Sequence, residues 1–478
     1  MRERAHGQDM LTSTYLLRQR RFLPLFATQL LNAFNDNLFK TATVLFVVYS
    51  VYNSEEAEAQ FSAVASSLFI LPFFLLSALS GQLADMRDKA VIIRWVKAAE
   101  IGIMAVGALG LVMAWQGWLT ELVAIPLMLL AVLAMGVHST FFGPIKYAIL
   151  PQHLKPQEVL AGTGLVEAGT YIAILAGTII AGFIAVEFAA LLVLVTALIG
   201  YATSRQVPPA PPAIPEDHRN FESIDNLLRL ARKFRGIARP LMALPVFLYW
   251  TVGSSAKLVN RTVHQREVFY AILAISFFWT IGAVLFIQFP PLAKNVLMAS
   301  KEVASLFLVI FSIGVAIGSV AINALLKGEV SARYAPVSVL FMGAFVAAFW
   351  LVCHEWTVDV HADGLMNVGR FVAQPLAPLV LLTLLLIAVS GGMFVVPLYA
   401  FLTTKCEPSQ AARTVAANNI VNSGAMVLGS LIAGGLSAAG IPLVEQVLLS
   451  ALMCLVSAWL GLRLHQAERH AIAARAGA

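Results

Sequence analysis

Apolar stretches of about 20 residues recur along nearly the whole chain, separated by short polar segments. A helix needs roughly 20 residues to cross about 30 Å of hydrocarbon, so each stretch is typical of a membrane span. The pattern predicts an all-α membrane protein with twelve transmembrane helices in two pseudo-symmetric sets of six. The predicted spans are 22–52, 61–84, 90–114, 121–143, 158–184, 187–204, 267–289, 302–326, 335–353, 376–402, 411–438 and 441–463.

Residues 205–266 separate the two sets, which gives an N-terminal half at 1–204 and a C-terminal half at 267–478. The intervening segment opens with the proline-rich stretch 208–215, which is typical of an extended linker. Residues 221–238 then interleave leucine with arginine and lysine, as in a helix on an anionic membrane surface or in a solvated connector. The apolar stretch 241–252 is short and contains Pro245, which favours an interfacial or re-entrant segment.

Composition agrees with this class, because 59% of the residues are hydrophobic and only 12% are charged. The net charge of +6 reflects topology, since 28 of the 32 Lys and Arg residues are assigned to the side that carries both chain termini. The positive-inside rule makes that side cytoplasmic in a multi-pass membrane protein. A nucleic-acid partner is not expected, because no basic stripe lies on a soluble face.

The first span contains an unusual polar run, Asn35-Asp36-Asn37, followed by Lys40. An ionisable residue at membrane depth is costly unless it faces a partner or a wet cavity, so Asp36 is a candidate functional residue. Asp36 and Lys40 are four residues apart and can pair on one helix face, which leaves a purely structural ion pair as an alternative.

Two further charges lie at or inside spans 4 and 5. Lys146 follows the Gly143-Pro144 break and offers a positive charge to a lipid phosphate, or else snorkels as a simple anchor. Glu167 lies one to two turns into span 5 and needs a partner, either Lys146 in a structural salt bridge or a proton. His138, on span 4, is interpreted as a packing histidine, with a proton carrier as the alternative.

The spans of the second half contain polar residues of a different kind. Its spans contain amides, of which Gln288, Asn418 and Asn422 are candidate substrate contacts, and Phe286 belongs to a candidate apolar wall. Charges in one half and an apolar surface in the other suit an amphiphile, whose headgroup and acyl chain need different surroundings. An exporter of amphipathic drugs fits the same division.

The loop between spans 2 and 3 resembles the major facilitator loop signature at Gly81, Leu83 and Asp85. In that signature a glycine permits close helix packing, and basic residues, here Arg87 and Lys89, anchor the rim. Met86 and Asp88 depart from the pattern. Segment 143–150 is similar in sequence to 396–402, and segment 166–169 is similar to 421–424. These similarities indicate that spans 4–5 and 10–11 are equivalent.

Several longer stretches together resemble the lysophospholipid transporter family, in order and at compatible spacing. They are 32–37, 81–85, 144–150, 164–169 with 173–175, 276–279 and 392–398. The resemblance implies inward movement of lysophospholipids, such as lysophosphatidylethanolamine, between the leaflets of a bacterial inner membrane for reacylation. It also implies a separate acyltransferase or acyl-ACP synthetase as a partner. The region after Trp279 lacks the basic residue of stand-alone members and resembles the relatives that are fused to an acyltransferase.

No enzymatic site is expected. His354 and Asp359 fit an acyltransferase spacing, but the accompanying glycine and arginine motifs are missing. The three cysteines have neither metal-ligand nor disulfide spacing, and no phosphate-binding glycine loop is present, so we expect no metal and no cofactor. The polar residues and the family resemblance together predict a lysophospholipid transporter, in which Asp36 and Asn37 contact the headgroup and Lys40 and Lys146 lie near its phosphate. The alternative is a proton-coupled drug exporter, in which Asp36 or Glu167 carries the proton.

Overall fold

The computed structural model describes residues 15–155, 158–211, five positions between 253 and 260, 266–326, 331–357, 364–404 and 411–476. For some residues within these ranges, the structure describes the backbone but not the side chain. The amphipathic segment 221–238 and the apolar stretch 241–252 also lie outside the described residues, so both interpretations stay predictions.

The described part of the chain contains twelve helices of 19 to 34 residues and no extended strand. They are α1 (Leu23–Phe46), α2 (Glu55–Met86), α3 (Lys89–Trp115), α4 (Ile125–Ala148), α5 (Val159–Phe183), α6 (Val186–Ser204), α7 (Arg266–Asn295), α8 (Lys301–Leu326), α9 (Ala335–His354), α10 (Ala377–Thr404), α11 (Ala411–Ala438) and α12 (Leu443–Ala476). Short π-helical segments follow α1 at Val47–Val51 and precede α4 at Thr120–Ala124. The predicted all-α fold is confirmed.

Among the described residues, ten of these helices are long and apolar enough to cross a membrane. The two others are α1 and α5. Helix α1 carries polar residues through its middle, and α5 contributes the shorter apolar stretch Ile172–Phe183. The predicted spans and the observed helices therefore correspond one to one in order.

Local sequence explains where several helices begin and end. Asp88 caps α3 by accepting hydrogen bonds from the backbone amides of Ala90 and Val91. Proline occupies the first turn of α4 and of α9, where no helical amide partner is needed. Gly117 after α3 and Gly440 after α11 have positive φ values, 72° and 76°, which glycine adopts without a steric penalty.

The chain forms two compact units, and neither coincides exactly with a predicted half. Unit 1 comprises Met1–Asn37, Leu75–Gly177 and Ala190–Leu258. Unit 2 comprises Leu38–Phe74, Thr178–Ala189 and Val259–Ala478. The division at 1–204, 205–266 and 267–478 stays a prediction about the linear organisation of the chain.

In unit 1, α3 packs against α4, and an apolar core forms beside them. Phe22, Ile93, Phe142 and Ile149 are among its fully or almost fully buried members. Residues that follow α6 also join this unit. The backbone amide of Ala210 donates to Asp88 at 3.1 Å, and the Arg94 guanidinium donates to the carbonyl of Val207 at 3.0 Å.

In unit 2, α8 packs against α10, α9 against α10 and α12, and α7 against α11 and α12. Small residues let α8 and α10 approach closely. A Cβ atom added to Gly392 would lie 2.5 Å from the Val315 carbonyl oxygen, and one added to Gly314 would lie 2.6 Å from the Ala388 Cβ. Such contacts are the usual way in which helices associate where lipid removes the hydrophobic driving force.

A buried ionic contact at the end of α7 also belongs to unit 2. The Lys294 Nζ donates to Glu58 Oε1 at 2.5 Å and to the backbone carbonyls of Val48 and Tyr52 at 2.6 and 2.8 Å. The Asn295 Nδ2 donates to the other oxygen of Glu58 at 2.5 Å. Both oxygens of this fully buried carboxylate are thus hydrogen-bonded, which offsets the cost of burying its charge.

Candidate functional site

Asp36 lies on α1 and is almost fully buried in unit 1. Its Oδ2 accepts hydrogen bonds from Asn32 Nδ2 at 3.0 Å, one turn earlier on the same helix, and from the Ser139 hydroxyl on α4. Its Oδ1 has no hydrogen-bond partner among the described residues. One oxygen is therefore hydrogen-bonded within the protein, and the other is a buried acceptor for which the described residues supply no donor.

A second carboxylate lies next to Asp36 in the same unit. Glu100 on α3 is fully buried and forms an ion pair with Lys97, three residues earlier. Glu100 Oε1 also accepts a hydrogen bond from Asn35 Nδ2 of α1 at 2.7 Å. The Lys97 Nζ lies 3.4 Å from Asn32 Oδ1. These contacts tie α1 to α3 through buried polar groups.

His138 connects the two carboxylates. Its Nε2 lies 3.4 Å from Glu100 Oε2, and its Nδ1 lies 3.5 Å from the Ser139 Oγ, which donates to Asp36. We define the acid–base cluster as Asp36, Lys97, Glu100, His138 and Ser139. Three helices of one unit thus bring together two carboxylates, one ammonium group and one imidazole.

The interior of unit 1 makes room for the Lys97 side chain at Gly200 on α6. A Cβ atom added there would lie 2.8 Å from Lys97 Cε and 3.0 Å from its Nζ. Since α6 presents no side chain at this position, the Lys97 side chain can lie against the backbone of α6. Gly200 is therefore required by a close approach of a side chain and not by its own backbone conformation.

Sequence reasoning missed Lys97 and Glu100 and did not give His138 a polar role. Lys97 is one of the 28 Lys and Arg residues assigned from the sequence to the side of the chain termini, although it lies inside α3 and is fully buried. A signal was present, because a lysine and a glutamate three residues apart inside a span can pair on one helix face. His138 is buried as predicted, but it lies against charged and polar groups rather than in apolar packing.

Lys146 and Lys40 have partners within their own units. The Lys146 Nζ donates to Thr170 Oγ1 at 3.1 Å and lies 5.0 Å from the centroid of the Tyr147 ring. Thr170 in turn donates to Gln29 Oε1 of α1 at 2.8 Å. In unit 2, the Lys40 Nζ lies 5.0 Å from the centroid of the Phe69 ring. The side chain of Glu167 lies outside the description, so its pairing stays a prediction.

Asn37, the other predicted headgroup residue of α1, donates from Nδ2 to the carbonyl of Ala33 at 2.8 Å. In the loop signature, Gly81 and Asp85 lie within α2, and their side-chain surroundings are outside the description. Arg87 is exposed, whereas Lys89 is buried at the start of α3 and its backbone amide donates to Ala210. The gating role of these residues stays a prediction.

The predicted second-half contacts lie in unit 2 and include an uncharged network. Asn422 Oδ1 accepts from the Ser276 hydroxyl at 2.7 Å, and Asn422 Nδ2 donates to the Tyr399 hydroxyl at 3.3 Å. The Trp279 indole donates to the same Tyr399 hydroxyl at 2.7 Å. Asn418, one turn before Asn422, is fully buried, and neither of its amide atoms has a hydrogen-bond partner among the described residues.

Gln288 and Phe286 lie on α7 in different surroundings. Gln288 is buried, and its Nε2 donates to Gln446 Oε1 at 3.1 Å, which makes it a link between α7 and α12. The Phe286 ring forms edge-to-face contacts with Phe289 and Phe311, at centroid distances of 5.8 and 4.8 Å. Phe286 thus belongs to a cluster of aromatic rings in unit 2, and its role in an apolar wall for the substrate stays a prediction.

A sequence profile of the Major Facilitator Superfamily matches residues 25–361. The lysophospholipid transporter LplT of Escherichia coli (strain SE11) is 24% identical over 424 residues, which cover 87% of this chain and 88% of that protein. The LplT of Escherichia fergusonii is 23% identical over the same length and coverage. Among the described residues, no group of three or more His, Cys, Asp or Glu side chains has a metal-binding arrangement.

Solved structures of transporters share the fold at low sequence identity. A POT family transporter in complex with 5-aminolevulinic acid superposes with a TM-score of 0.65 at 11% identity, covering 92% of this chain and 95% of the other. A bacterial homologue of the human lysosomal transporter Spinster gives 0.64 at 12% identity, covering 94% and 98%. A D-xylose–proton symporter gives 0.62 at 12% identity, covering 92% and 96%. Together with the profile match, which spans well over half of the residues, these observations mean that the chain belongs to the major facilitator superfamily.

Proposed function

We propose that this membrane transporter moves lysophospholipids, such as lysophosphatidylethanolamine, from the outer to the inner leaflet of a bacterial inner membrane. The observation that carries the proposal is the half-satisfied Asp36 carboxylate, in a chain that is similar along most of its length to LplT proteins. Its Oδ2 accepts hydrogen bonds from Asn32 and Ser139, and its Oδ1 has no hydrogen-bond partner in the part of the chain that the structure describes. A buried acceptor without a donor is costly, and a substrate donor would remove that cost.

The headgroup of a lysophospholipid offers suitable donors. Its free glycerol hydroxyl, or the ammonium of ethanolamine, donates a hydrogen bond to Asp36 Oδ1. The phosphate is stabilised by a lysine, for which Lys146 and Lys40 are the candidates, with Asn37 and Glu167 as further headgroup contacts. Gln288, Asn418, Asn422 and the ring of Phe286 are the proposed contacts of the C-terminal half.

The proposed orientation has both termini in the cytoplasm. Gly81, Asp85, Arg87 and Lys89 then form the cytoplasmic loop that is rearranged during transport. In this proposal a separate acyltransferase or acyl-ACP synthetase consumes the delivered lysolipid.

Substitution of Asp36 by asparagine tests the proposal. Asp36→Asn conserves volume and removes a buried charge, so we expect normal expression and membrane insertion but loss of lysolipid transport. Transport is measured as the movement of a fluorescent lysophosphatidylethanolamine between the leaflets of proteoliposomes. Glu121→Gln is the matched control, because it makes the same carboxyl-to-amide change at an exposed position of unit 1. Normal flux in a well-folded Asp36→Asn protein would refute the role of Asp36.

A proton-coupled exporter of amphipathic drugs is the second candidate, and the buried Glu100–His138 contact favours it. Such an exporter expels a cationic dye against its gradient when a proton gradient is imposed. Measurement of dye efflux and lysolipid uptake with the same proteoliposome preparation distinguishes the two functions.

A further inference from the structure

The amide of Asn418 on α11 is fully buried, and neither its Oδ1 nor its Nδ2 has a hydrogen-bond partner in the part of the chain that the structure describes. Other buried amides with one unsatisfied atom keep a bond at the other. Gln29 accepts from Thr170, Asn35 donates to Glu100, and Gln288 donates to Gln446. A buried amide costs free energy unless it is hydrogen-bonded, so Asn418 destabilises this arrangement of the helices relative to one in which it gains a partner.

The hydrogen-bonding groups next along this face of α11 are uncharged. Asn422 lies four residues after Asn418 and therefore on the same face of the helix. Its amide accepts from the Ser276 hydroxyl at 2.7 Å and donates to the Tyr399 hydroxyl at 3.3 Å, and the Trp279 indole donates to the same Tyr399 hydroxyl at 2.7 Å. A charged ligand group finds no opposite charge in this network to offset its desolvation, so the surroundings favour a neutral polar group.

An asparagine amide matches a neutral ligand that has a donor beside an acceptor, because it accepts at Oδ1 and donates at Nδ2. The glycerol of a lysophospholipid carries such a pair. Its free hydroxyl is the donor, and the ester carbonyl of the acyl group on the adjacent carbon is the acceptor. A phospholipid with two acyl chains has ester carbonyls at both positions and no hydroxyl donor. The hydroxyl is therefore the group that distinguishes a single-chain lipid from a two-chain lipid in the polar region.

We propose that Asn418 recognises the free glycerol hydroxyl of a single-chain phospholipid, with Oδ1 accepting from the hydroxyl and Nδ2 donating to the ester carbonyl. This inference rests on the proposed function, in which Asn418 is a substrate contact, and adds the group that it binds. The ammonium of ethanolamine then remains as the donor to Asp36. A lipid without the hydroxyl leaves the Asn418 oxygen without a donor, and a site built to hydrogen-bond a hydroxyl rejects an analogue that lacks it.

Because Asn418 is fully buried, its amide reaches a ligand only when the helices around it separate. The unsatisfied amide destabilises the buried arrangement and so shifts the population towards that separation. Leucine has a similar shape and no polar atoms, so Asn418→Leu should stabilise the protein while it weakens lysolipid binding. A purely structural asparagine would instead lose stability on this substitution.

The experiment compares two lipids that differ only in the hydroxyl. A fluorescent lysophosphatidylethanolamine is displaced from purified protein in detergent by lysophosphatidylethanolamine or by its deoxy analogue, in which a hydrogen atom replaces the glycerol hydroxyl. We expect the unmodified protein to bind the hydroxyl lipid at least about tenfold more tightly than the analogue. Asn418→Leu should bind the two lipids with equal affinity, and its Tm in the absence of lipid should be higher than that of the unmodified protein.

Asn419→Leu is the matched control, because it makes the same change at the adjacent, exposed position of α11 and should keep the preference for the hydroxyl. Equal affinity of the unmodified protein for both lipids would overturn the inference and leave the proposed function standing. Absence of any lysolipid binding would overturn the proposed function as well. An undiminished preference in Asn418→Leu would overturn the assignment to this residue, and a lower Tm of that variant would show that the amide already has a partner.

Discussion

Apart from the Lys294–Glu58 ion pair at the end of α7, the buried polar groups of α1, α3 and α4 differ in charge from those of α7, α11 and α12. The first group holds Lys97 and Glu100 as a fully buried ion pair beside Asp36. The second group is joined by amides and hydroxyls, as in the contact between Gln288 and Gln446. A buried charge without its partner costs far more than a buried amide without one, so the two regions should tolerate substitution very differently.

The largest expected effect comes from breaking the ion pair. Lys97→Met leaves Glu100 with Asn35 and His138 but without its cation, and such a loss costs about 3–5 kcal/mol. The matched change in the uncharged region is Gln288→Met, after which Gln446 still donates to Ser437 and to the Ile441 carbonyl. Loss of one amide contact costs about 1 kcal/mol. Thermal unfolding in detergent should therefore show a much larger decrease in Tm for Lys97→Met.

A double substitution sharpens this test. In Lys97→Met combined with Glu100→Gln, no isolated charge remains on α3, so part of the lost stability should return. Equal decreases in Tm for Lys97→Met and Gln288→Met would mean that removing a charged partner costs no more stability than removing an amide partner. The proposed difference between the two regions would then be wrong.

A charge introduced into the uncharged region is the next largest effect. Phe286→Asp places a carboxylate against Phe289 and Phe311, and we expect lysolipid binding to weaken at least tenfold, which corresponds to about 1.4 kcal/mol. Water-soluble glycerophosphodiesters, which have no acyl chain, should bind as before. Competition binding on purified protein measures both.

Phe286→Arg is the control for this substitution. An arginine can pair with a lipid phosphate where an aspartate cannot, so we expect it to be better tolerated. Unchanged lysolipid binding in Phe286→Asp would show that the ring cluster does not contact the acyl chain.

A smaller effect is expected at Lys146. Its ammonium already donates to Thr170, so its removal should weaken lysolipid uptake several-fold if it also stabilises the phosphate. Lys155→Ala is the matched control, because Lys155 is exposed in the neighbouring loop. Initial rates of uptake in proteoliposomes measure the difference, and equal rates for both variants would indicate a snorkelling lysine.

The smallest effect concerns the ion pair of Arg21 and Glu158, whose Nη2 and Oε1 atoms lie 2.8 Å apart. Arg21 precedes α1 and Glu158 precedes α5, so both residues lie outside the membrane-spanning helices. The hydrogen bond from Arg21 lowers the pKa of Glu158 below its ordinary value of 4.5. The contribution of this pair to stability is therefore complete above pH 4.5 and is lost as the pH falls through the lower pKa of the folded state. We expect less than about 1 kcal/mol.

Thermal unfolding of the unmodified protein and of Glu158→Gln, measured from pH 7 to pH 3, checks this sign. The difference in Tm between the two proteins should shrink as the pH falls. A difference that grows under acidic conditions would contradict the assigned direction.

The sequence determined the architecture because the length of each apolar stretch is a local property. The predicted spans and the observed helices α1–α12 agree in number and order, and the turn glycines and proline positions that limit them are also readable locally. Asp36 was identifiable for the same reason, since a charge inside an apolar stretch is conspicuous on its own. The Asn422 and Gln288 amides were found in this way too.

The tertiary structure decided which polar groups meet. Asn35 and Glu100 are 65 residues apart, and Asp36 and Ser139 are 103 residues apart, so no local spacing pairs them. The burial of Lys97 was missed because a lysine near a span end normally reaches the polar rim, whereas here it contacts Asn32 of α1 and packs against Gly200 of α6. Only the packing of the helices brings these side chains within hydrogen-bonding distance. The cost of burying each charge depends on partners that lie on other helices, so it cannot be read from the local sequence.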